Sequence, residues 1–542
     1  MQTAPLSLDI FPYEDQIPEA YQITEPLVQT EYLVNGEIRH WDGPLNEVFS
    51  PIYVKDAEGQ LQPKLIGKTP LLTGQEAVVA LQAALAAYKS GTGLWPTLSV
   101  RERIEHTEAF IGRMRAVRQE VVNLLMWEIG KNKRDSEKEF DRTVKYIEDT
   151  IETLKDLDRR SSQFESREGI LAQIRRVPLG VALVMGPYNY PLNETFTTLI
   201  PALIMGNTVV FKPARFGVLL IRPLLEAFRD SFPPGVINII YGSGRATVGA
   251  MMETGELNVF AFIGTNKGAN DLKKMHPKPH KLRSVLGLDA KNPAIVLPDA
   301  DLDIAVKECL LGSLSFNGQR CTALKIIFVH EVVREAFLER FQAALAKLKP
   351  GMPWEEGVEL TPLPEPNKCD YLHELILDAQ AQGATVLNPQ GGQIVGSYFH
   401  PAVVYPVNEK MRLYREEQFG PIVPVVSFRD LQEPIDYVVE SNFGQQASIF
   451  GQDSEAISHL IDAMVNQVNR INLNAQCQRG PDHYPFNGRK DSAEGTLSVY
   501  DALRTFSIRT MVATRATPEN QQLVRDILHE RNSAFLRTDY IF

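Results

Sequence analysis

Phe316-Asn317-Gly318-Gln319-Arg320-Cys321-Thr322 sets one thiol behind a glycine-containing turn and beside a fixed cation. A cation near sulfur favours the thiolate, which is the nucleophilic form. Cys321 is therefore the leading candidate for covalent chemistry, against the alternative of a buried structural cysteine. Cys309, Cys369 and Cys477 complete a set of four that is too scattered for a disulfide framework, and no C-x-x-C pair suggests zinc. At most one of the four is expected to be chemical. Gly242, Gly244 and Gly249 form G-x-G-x-x-x-x-G after an apolar run, two residues longer than the usual dinucleotide fingerprint. A plain turn explains them equally well.

Charge narrows the partners. With 67 acidic against 56 basic residues and a formal charge of −11, the surface is not expected to hold nucleic acid or an anionic membrane, although a local basic pocket is compatible. A chain of 542 residues that is 44% hydrophobic and 23% charged reads as an ordinary globular protein of several domains. Met1 to Gln16 shows no basic region followed by an apolar stretch, and no run approaches the roughly 18 apolar residues of a membrane span. A soluble, cytoplasmic protein is expected.

The elements that must position these residues are legible in outline. Residues 1–70 read as an extension leading into strands, with Tyr32-Leu33-Val34 before a turn at Asn35-Gly36. Thr73-Gly74-Gln75-Glu76 and Ser99-Val100-Arg101-Glu102 fit the capping box and predict helix starts. Glu128 to Arg160 keeps a helical period, and its mixed charges are expected to form a solvated face. From Gly180 the pattern alternates between strand and helix: strands over Gly180 to Met185, Thr208 to Phe211 and Val236 to Tyr241, and helices over Glu194 to Met205, Gly217 to Phe232 and Thr247 to Thr254. Such βαβ units make a parallel-sheet, dinucleotide-type domain. A second α/β series runs from Ala294 to Phe428 and on through Gln446 to Phe450. Ile170, Ala172 and Ile174 alternate with Gln173 and Arg175 as in a strand, and the chain from Ala513 reads as polar helix.

The Cys321 segment resembles the nucleophile motif of the aldehyde dehydrogenase superfamily. As Gly318-Gln319-Arg320-Cys321-Thr322-Ala323 it is similar to the non-phosphorylating, NADP-dependent glyceraldehyde-3-phosphate dehydrogenases of that superfamily. Other motifs follow in the family's order. Gly186-Pro187-Tyr188-Asn189-Tyr190-Pro191 matches the segment whose Asn, with the nucleophile's backbone N–H, stabilises the oxyanion; this implies that role for Asn189 and sets Tyr188 on the cofactor side. Phe211-Lys212-Pro213-Ala214-Arg215 matches the adenine-ribose segment, and Arg215 stands where NAD-preferring members commonly carry Glu. Lys212 and Arg215 together imply NADP, with NAD also possible. Phe262-Ile263-Gly264-Thr265 resembles the turn against the pyrophosphate, implying Gly264 and Thr265 alongside Gly244. Glu416-Glu417-Gln418-Phe419-Gly420-Pro421 resembles EEIFGP, which implies Glu417 on the nicotinamide ribose and Phe419 nearby. At the substrate end, Glu139 to Thr143 and Gln478 to Asp482 resemble family segments. By resemblance, Arg142, Tyr190, Arg320, Thr322 and Arg479 bind a small phosphorylated aldehyde, the three guanidinium groups and the phenol converging on one phosphate.

One segment departs from the pattern. The family's general base is a Glu in an ELGGK segment; here that stretch is Gly287-Leu288-Asp289-Ala290-Lys291, and the base's place falls on Gly287. Asp289, two residues on and on the same side of an extended segment, is the candidate to activate hydrolytic water, against a plain turn residue.

The resemblance implies oxidation of a phosphorylated aldehyde, glyceraldehyde 3-phosphate to 3-phosphoglycerate, through a thiohemiacetal and thioester on Cys321. The alternatives are acyl transfer to phosphate or coenzyme A, acyl-phosphate reduction, and a non-catalytic scaffold. The implied fold is α/β and aldehyde dehydrogenase-like. It has a parallel-sheet Rossmann-type cofactor domain (31–160 and 178–288), an α/β catalytic domain (289–489) and a small β oligomerisation arm (161–177 and 490–512). An N-terminal extension (1–30) and a tail (513–542) flank it, and a homodimer or homotetramer is expected, with no metal.

Overall fold

Strands rich in Val, Ile, Leu and Phe without polar alternation are buried on both faces of a parallel sheet. Two such sheets are built by residues 9–540, which this computed structural model describes. Residues 1–8 of the expected extension and 541–542 of the tail lie outside the described residues.

The first sheet carries parallel strands in the order Arg283–Gly287, Val259–Ile263, Val181–Met185, Thr208–Lys212 and Ile237–Ile239. The chain starts at Val181–Met185, winds to one side, then crosses to the other. The switch point thus lies between Val181–Met185 and Val259–Ile263, where open α/β sheets have their binding crevice. Antiparallel strands finish both edges: Glu31–Val34 with Glu37–His40 on one, Ala493–Glu494 on the other. Helix Asn193–Ile204 is buried along its whole length against this sheet. Both predicted capping boxes form, Thr73 with Glu76 and Ser99 with Glu102.

The second sheet runs Thr385–Val386, Ala402–Tyr405, Ile422–Phe428, Leu324–His330, Asn292–Val296, Gln446–Phe450, Arg470–Leu473, and only the first strand is antiparallel. Its strands Asn292–Val296, Leu324–His330 and Ile422–Phe428 are entered from the loops that hold Asp289, Cys321 and Glu417. The loops of Asn189, Lys212 and Thr265 leave the carboxyl ends of the first sheet. The two loop sets meet where Asn189 Nδ2 donates to the Gln319 carbonyl at 2.8 Å.

A third, antiparallel sheet of Phe164–Arg167, Ile170–Pro178 and Ser507–Arg515 occupies the place expected for the arm. Two expectations need correction here. Residues 490–506 are not in it: Arg489–Lys490 pairs with Phe443–Gly444, and Ala493–Glu494 edges the first sheet, because their backbone groups find partners there. Ala513 is in strand, and the tail helix starts at Pro518. The alternating strand forms as expected over Ile170–Pro178, and its polar face is the buried one. Gln173 and Arg175 are buried, while Ile170 and Ile174 are 42% and 40% exposed. Arg175 turns inward because Asp158 and the Phe535 carbonyl, the latter at 2.7 Å, take its guanidinium. The apolar face, with Met511 opposite Ile174, is left open on the single chain.

The charged stretch from Glu128 is not uniformly solvated either. Glu128, Lys131 and Glu139 are buried. Glu128 accepts from the Leu219 and Leu220 amides, both at 2.9 Å, so it ties a backbone turn and does not face water. No helix among the described residues is long and apolar enough to cross a membrane.

Candidate active site

Cys321 sits between helix Leu302–Leu314 and strand Leu324–His330, at the end of a turn with three consecutive positive φ values: Phe316 49°, Asn317 54° and Gly318 71°. Non-glycine residues held there carry about 1–3 kcal/mol of strain each, so the surroundings must over-determine the turn. They do. The Asn317 amide donates to Thr361 Oγ1 and accepts from the Thr361 amide, each at 3.0 Å. A side chain at Gly318 would lie 2.7 Å from the Ser313 carbonyl and 2.8 Å from that of Gly420. The Cys321 carbonyl is held by Asn292 Nδ2 at 2.8 Å and Lys325 Nζ at 3.0 Å.

Cys321 is partly exposed, whereas Cys309, Cys369 and Cys477 are buried. Only one thiol is reachable. The expectation that Arg320 makes it a thiolate is not met: that guanidinium donates to the Gly312 carbonyl at 2.8 Å, the Leu311 carbonyl at 3.2 Å and Gln476 at 3.3 Å. Burial pushes the Cys321 thiol up to about 11; the Glu194 carboxylate adds to this and Lys325 and Arg479 oppose it.

Asn189 is buried at the end of the segment leaving Val181–Met185, and its amide points at the nucleophile loop. Sequence reasoning missed the clamp beneath it. Lys131 Nζ donates to the Asn189 carbonyl at 2.7 Å and pairs with Glu139, and both side chains are fully buried. Glu139 accepts from the Leu192 and Asn193 amides at 3.0 and 3.1 Å. The ammonium also lies 3.6 Å from the Tyr190 ring centre and 4.5 Å from that of Phe316. One ion pair thus grips the Asn189 segment at both ends and touches the nucleophile turn. Nothing in the spacing of Lys131 and Glu139 sets them apart from a solvated charge pattern. Lys131→Met leaves Glu139 buried and unpaired, so it should destabilise by about 3–5 kcal/mol, read as a lower urea midpoint.

On the cofactor side, Lys212 is buried, its side chain donating to the Pro213 carbonyl at 3.0 Å with no carboxylate paired to it. Burial pulls its ammonium down to about 8. An unpaired buried cation in a cleft suits a ligand rich in hydroxyl or phosphate oxygen. Arg215 is exposed, its guanidinium 5.3 Å from the Phe216 ring centre. Tyr188 packs edge-on to both Phe216 and Phe419, at 5.7 and 5.9 Å, which links the Arg215 loop to the Glu417 loop. Tyr188 also donates to Glu365 at 2.7 Å. Gly244 opens helix Gly244–Glu253, and a side chain there would meet nothing nearer than Met185 at 4.0 Å. Gly264 donates to the Gly287 carbonyl at 2.9 Å, and Thr265 caps helix Asn266–Met275. Glu417 accepts from Ala290 N at 3.2 Å and pairs with Lys325, a partner that sequence reasoning also missed; burial raises its carboxyl and Lys325 opposes this. These residues fit a phosphorylated dinucleotide.

At the substrate end, the picture of three guanidinium groups converging freely on one anion is corrected. Arg142 is bidentate to Asp482 at 2.9 and 2.7 Å. Arg479 pairs with Glu194 and lies 3.3 Å from Asp482. Buried guanidinium groups need counter-charge, and these carboxylates supply it. Burial raises the Tyr190 phenol, Arg320 and Arg142 oppose this, and Asp135 and Glu139 add to it. Asp289 Oδ2 accepts from the Asn266 amide and Asn266 Nδ2, both at 2.9 Å, which ties that oxygen to the start of helix Asn266–Met275.

Residues 59–512 match the sequence profile of the aldehyde dehydrogenase family. The NADP-dependent glyceraldehyde-3-phosphate dehydrogenase of Arabidopsis thaliana is 34% identical over 345 residues, which span 63% of this chain and 68% of that protein. The enzyme of the same name from Streptococcus equinus is 30% identical over 460 residues, 83% of this chain and 92% of that protein. The crystal structure of NADP-dependent glyceraldehyde-3-phosphate dehydrogenase from Bacillus halodurans complexed with NADP superposes with a TM-score of 0.81 at 30% identity, over 90% of this chain and 100% of that one. With its two parallel sheets, its switch-point crevice and a reachable cysteine on a loop that an asparagine amide holds, the chain belongs to the aldehyde dehydrogenase family.

Proposed function

We propose that this chain oxidises a small phosphorylated aldehyde, glyceraldehyde 3-phosphate, to its acid with NADP. The observation that carries the reading is the hydrogen bond from the buried Asn189 amide to the Gln319 carbonyl, two residues before Cys321, the one reachable thiol. Cys321 attacks the aldehyde carbon, its proton leaving the site, and Asn189 Nδ2 with the Cys321 amide steadies the oxygen as it becomes negative. NADP, when bound, accepts the hydride. The thioester left on Cys321 is then hydrolysed.

Lys212 and Arg215 hold the adenine ribose and its 2′-phosphate; Gly244, Gly264 and Thr265 lie along the pyrophosphate, and Glu417, Tyr188 and Phe419 border the nicotinamide ribose. Arg142, Arg320, Arg479, Tyr190 and Thr322 receive the substrate phosphate. Two carboxylates face these three cations, so the pocket keeps an excess of positive charge. The open apolar face of Ile170–Pro178 and Ser507–Arg515 pairs subunits into a dimer or tetramer.

Reduced cofactor followed at 340 nm with glyceraldehyde 3-phosphate, with and without inorganic phosphate, tests the reading. Free acid formed without phosphate supports it. Acyl transfer from Cys321 to phosphate or coenzyme A is the second reading, favoured by Gly287 where the family has a carboxylate; a requirement for phosphate or coenzyme A in turnover would select it. Arg215→Glu should weaken NADP binding roughly ten- to hundredfold while sparing NAD. Equal loss with both cofactors, measured by fluorescence titration, would remove Arg215 from the 2′-phosphate site.

A further inference from the structure

The Asn189 loop leaves the first sheet and the Cys321 turn enters the second, so neither sheet by itself fixes the gap between them. One side chain touches both. Lys131 Nζ donates to the Asn189 carbonyl at 2.7 Å, and it lies 3.6 Å from the Tyr190 ring centre and 4.5 Å from that of Phe316, which opens the nucleophile turn. The two rings meet edge-on at 6.2 Å, with the ammonium against both. Lys131 is itself held. Its carbonyl accepts from Ser136 Oγ at 3.1 Å, and the next residue, Asn132, caps helix Lys133–Arg160 and donates to the Val358 carbonyl at 3.1 Å. Glu139 completes the frame, with Oε2 on Lys131 and Oε1 on the Leu192 and Asn193 amides.

Removing one partner of such a pair costs stability, but replacing both need not. Apolar side chains of similar volume often match or better a fully buried ion pair, because two charges must leave water to form it. What apolar side chains cannot do is hold a backbone carbonyl. Resting on the oxidation reading above, we infer that Lys131 is a positioning residue: braced on the Phe316 ring and bonded to the Asn189 carbonyl, it sets where the Asn189 side-chain amide stands relative to the Cys321 backbone amide. Those are the two donors to the substrate oxygen. The Lys131 side chain has no exposed surface, so it touches neither substrate nor cofactor. Its effect is on geometry: a preorganised donor acts only where the negative oxygen will be, and a misplacement of about 1 Å costs roughly 10²-fold in rate.

The test compares wild type, E139Q and K131M/E139Q, each also in the N189A background. It reads the first turnover at 340 nm with glyceraldehyde 3-phosphate and NADP, and the urea midpoint. K131M/E139Q has no unpaired buried charge, and the oxygen kept by E139Q still accepts from Leu192 and Asn193. It should therefore unfold at a higher urea midpoint than E139Q, which strands the Lys131 charge. The rates should run the other way. K131M/E139Q should lose roughly 10–100-fold, and E139Q less, because Lys131 keeps its bond to the Asn189 carbonyl. The loss should fall on the maximal rate, with KM for the aldehyde and NADP binding unchanged. In the N189A background the double substitution should cost little more, since no side-chain donor is left to place. Rates that follow the urea midpoints, a loss expressed in KM, or a loss as large without Asn189 as with it would each overturn the assignment alone. So would a K131M/E139Q variant that fails to fold, because the pair would then be a requirement of the fold. A wild type that reduces no NADP with this aldehyde overturns the oxidation reading and this assignment with it.

Discussion

Cys321→Ser should abolish aldehyde oxidation, lowering kcat/KM by roughly 10³–10⁶-fold, as removal of a nucleophile does elsewhere, while NADP binding survives. The hydroxyl that replaces the thiol ionises far less readily and stays protonated in the same half-buried place. The pH dependence of the wild type sharpens this. Burial and Glu194 hold the resting thiol at about 11, above the ordinary cysteine value, so the thiol is neutral at pH 7 and the thiolate appears only as pH rises. Alkylation of the free protein by iodoacetamide should therefore accelerate about tenfold per pH unit from 7 to 10, since the thiolate is the reacting form. Peptide mapping should place the label on Cys321, because the other three thiols are buried. A rate that levels off below pH 9 would mean a cation has stabilised the resting thiolate, as the adjacent Arg320 first suggested. In the structure that guanidinium is spent on the Leu311 and Gly312 carbonyls, which is why adjacency in sequence does not become proximity of charge to sulfur.

Asn189→Ala should lower kcat about 10²–10³-fold with little change in KM, the loss seen when one preorganised oxyanion donor is removed. The amide has little to do in the ground state, where it meets the Gln319 carbonyl at 2.8 Å. Its contribution grows only as the substrate oxygen becomes negative, so the effect belongs in kcat. Asn189→Asp should be worse than Ala, since a carboxylate repels that oxygen. Rapid-quench measurement of the first turnover should show this loss, because the substrate oxygen becomes negative before the thioester forms. Equal rises in KM and losses in kcat would instead make Asn189 a general binding residue.

The sites differ in how readable they are from sequence. Cys321, Asn189, Lys212, Glu417 and Phe419 come from short contiguous motifs, each bound to one turn between a strand and its neighbour. Local chain chemistry is enough to place such a turn. The capping boxes at Thr73 and Ser99 were readable for the same reason, their partners being three residues away. The counter-ions were not. Asp482 lies 340 residues from Arg142, and Glu194 285 residues from Arg479, so no local pattern shows that the arginines arrive already paired. The Lys131–Glu139 clamp hid inside a stretch whose mixed charges read as solvated. A buried charge and an exposed one look alike in sequence; they are told apart by what packs over them.

By itself the sequence determined the α/β class, the order of the motifs, the identity of one chemical cysteine candidate and the glycine at the usual base position. The class and the cysteine follow from periodicity and from residues that act over a single turn; the motif order and the glycine's place are read against the family that the sequence resembles. The tertiary structure alone decided which way the Ile170–Pro178 strand faces, where the tail begins, and which carboxylates meet Arg142 and Arg479. Those are decided by charge pairing and burial between segments remote in the chain: an ion taken out of water must find its partner in space, whatever its distance along the backbone.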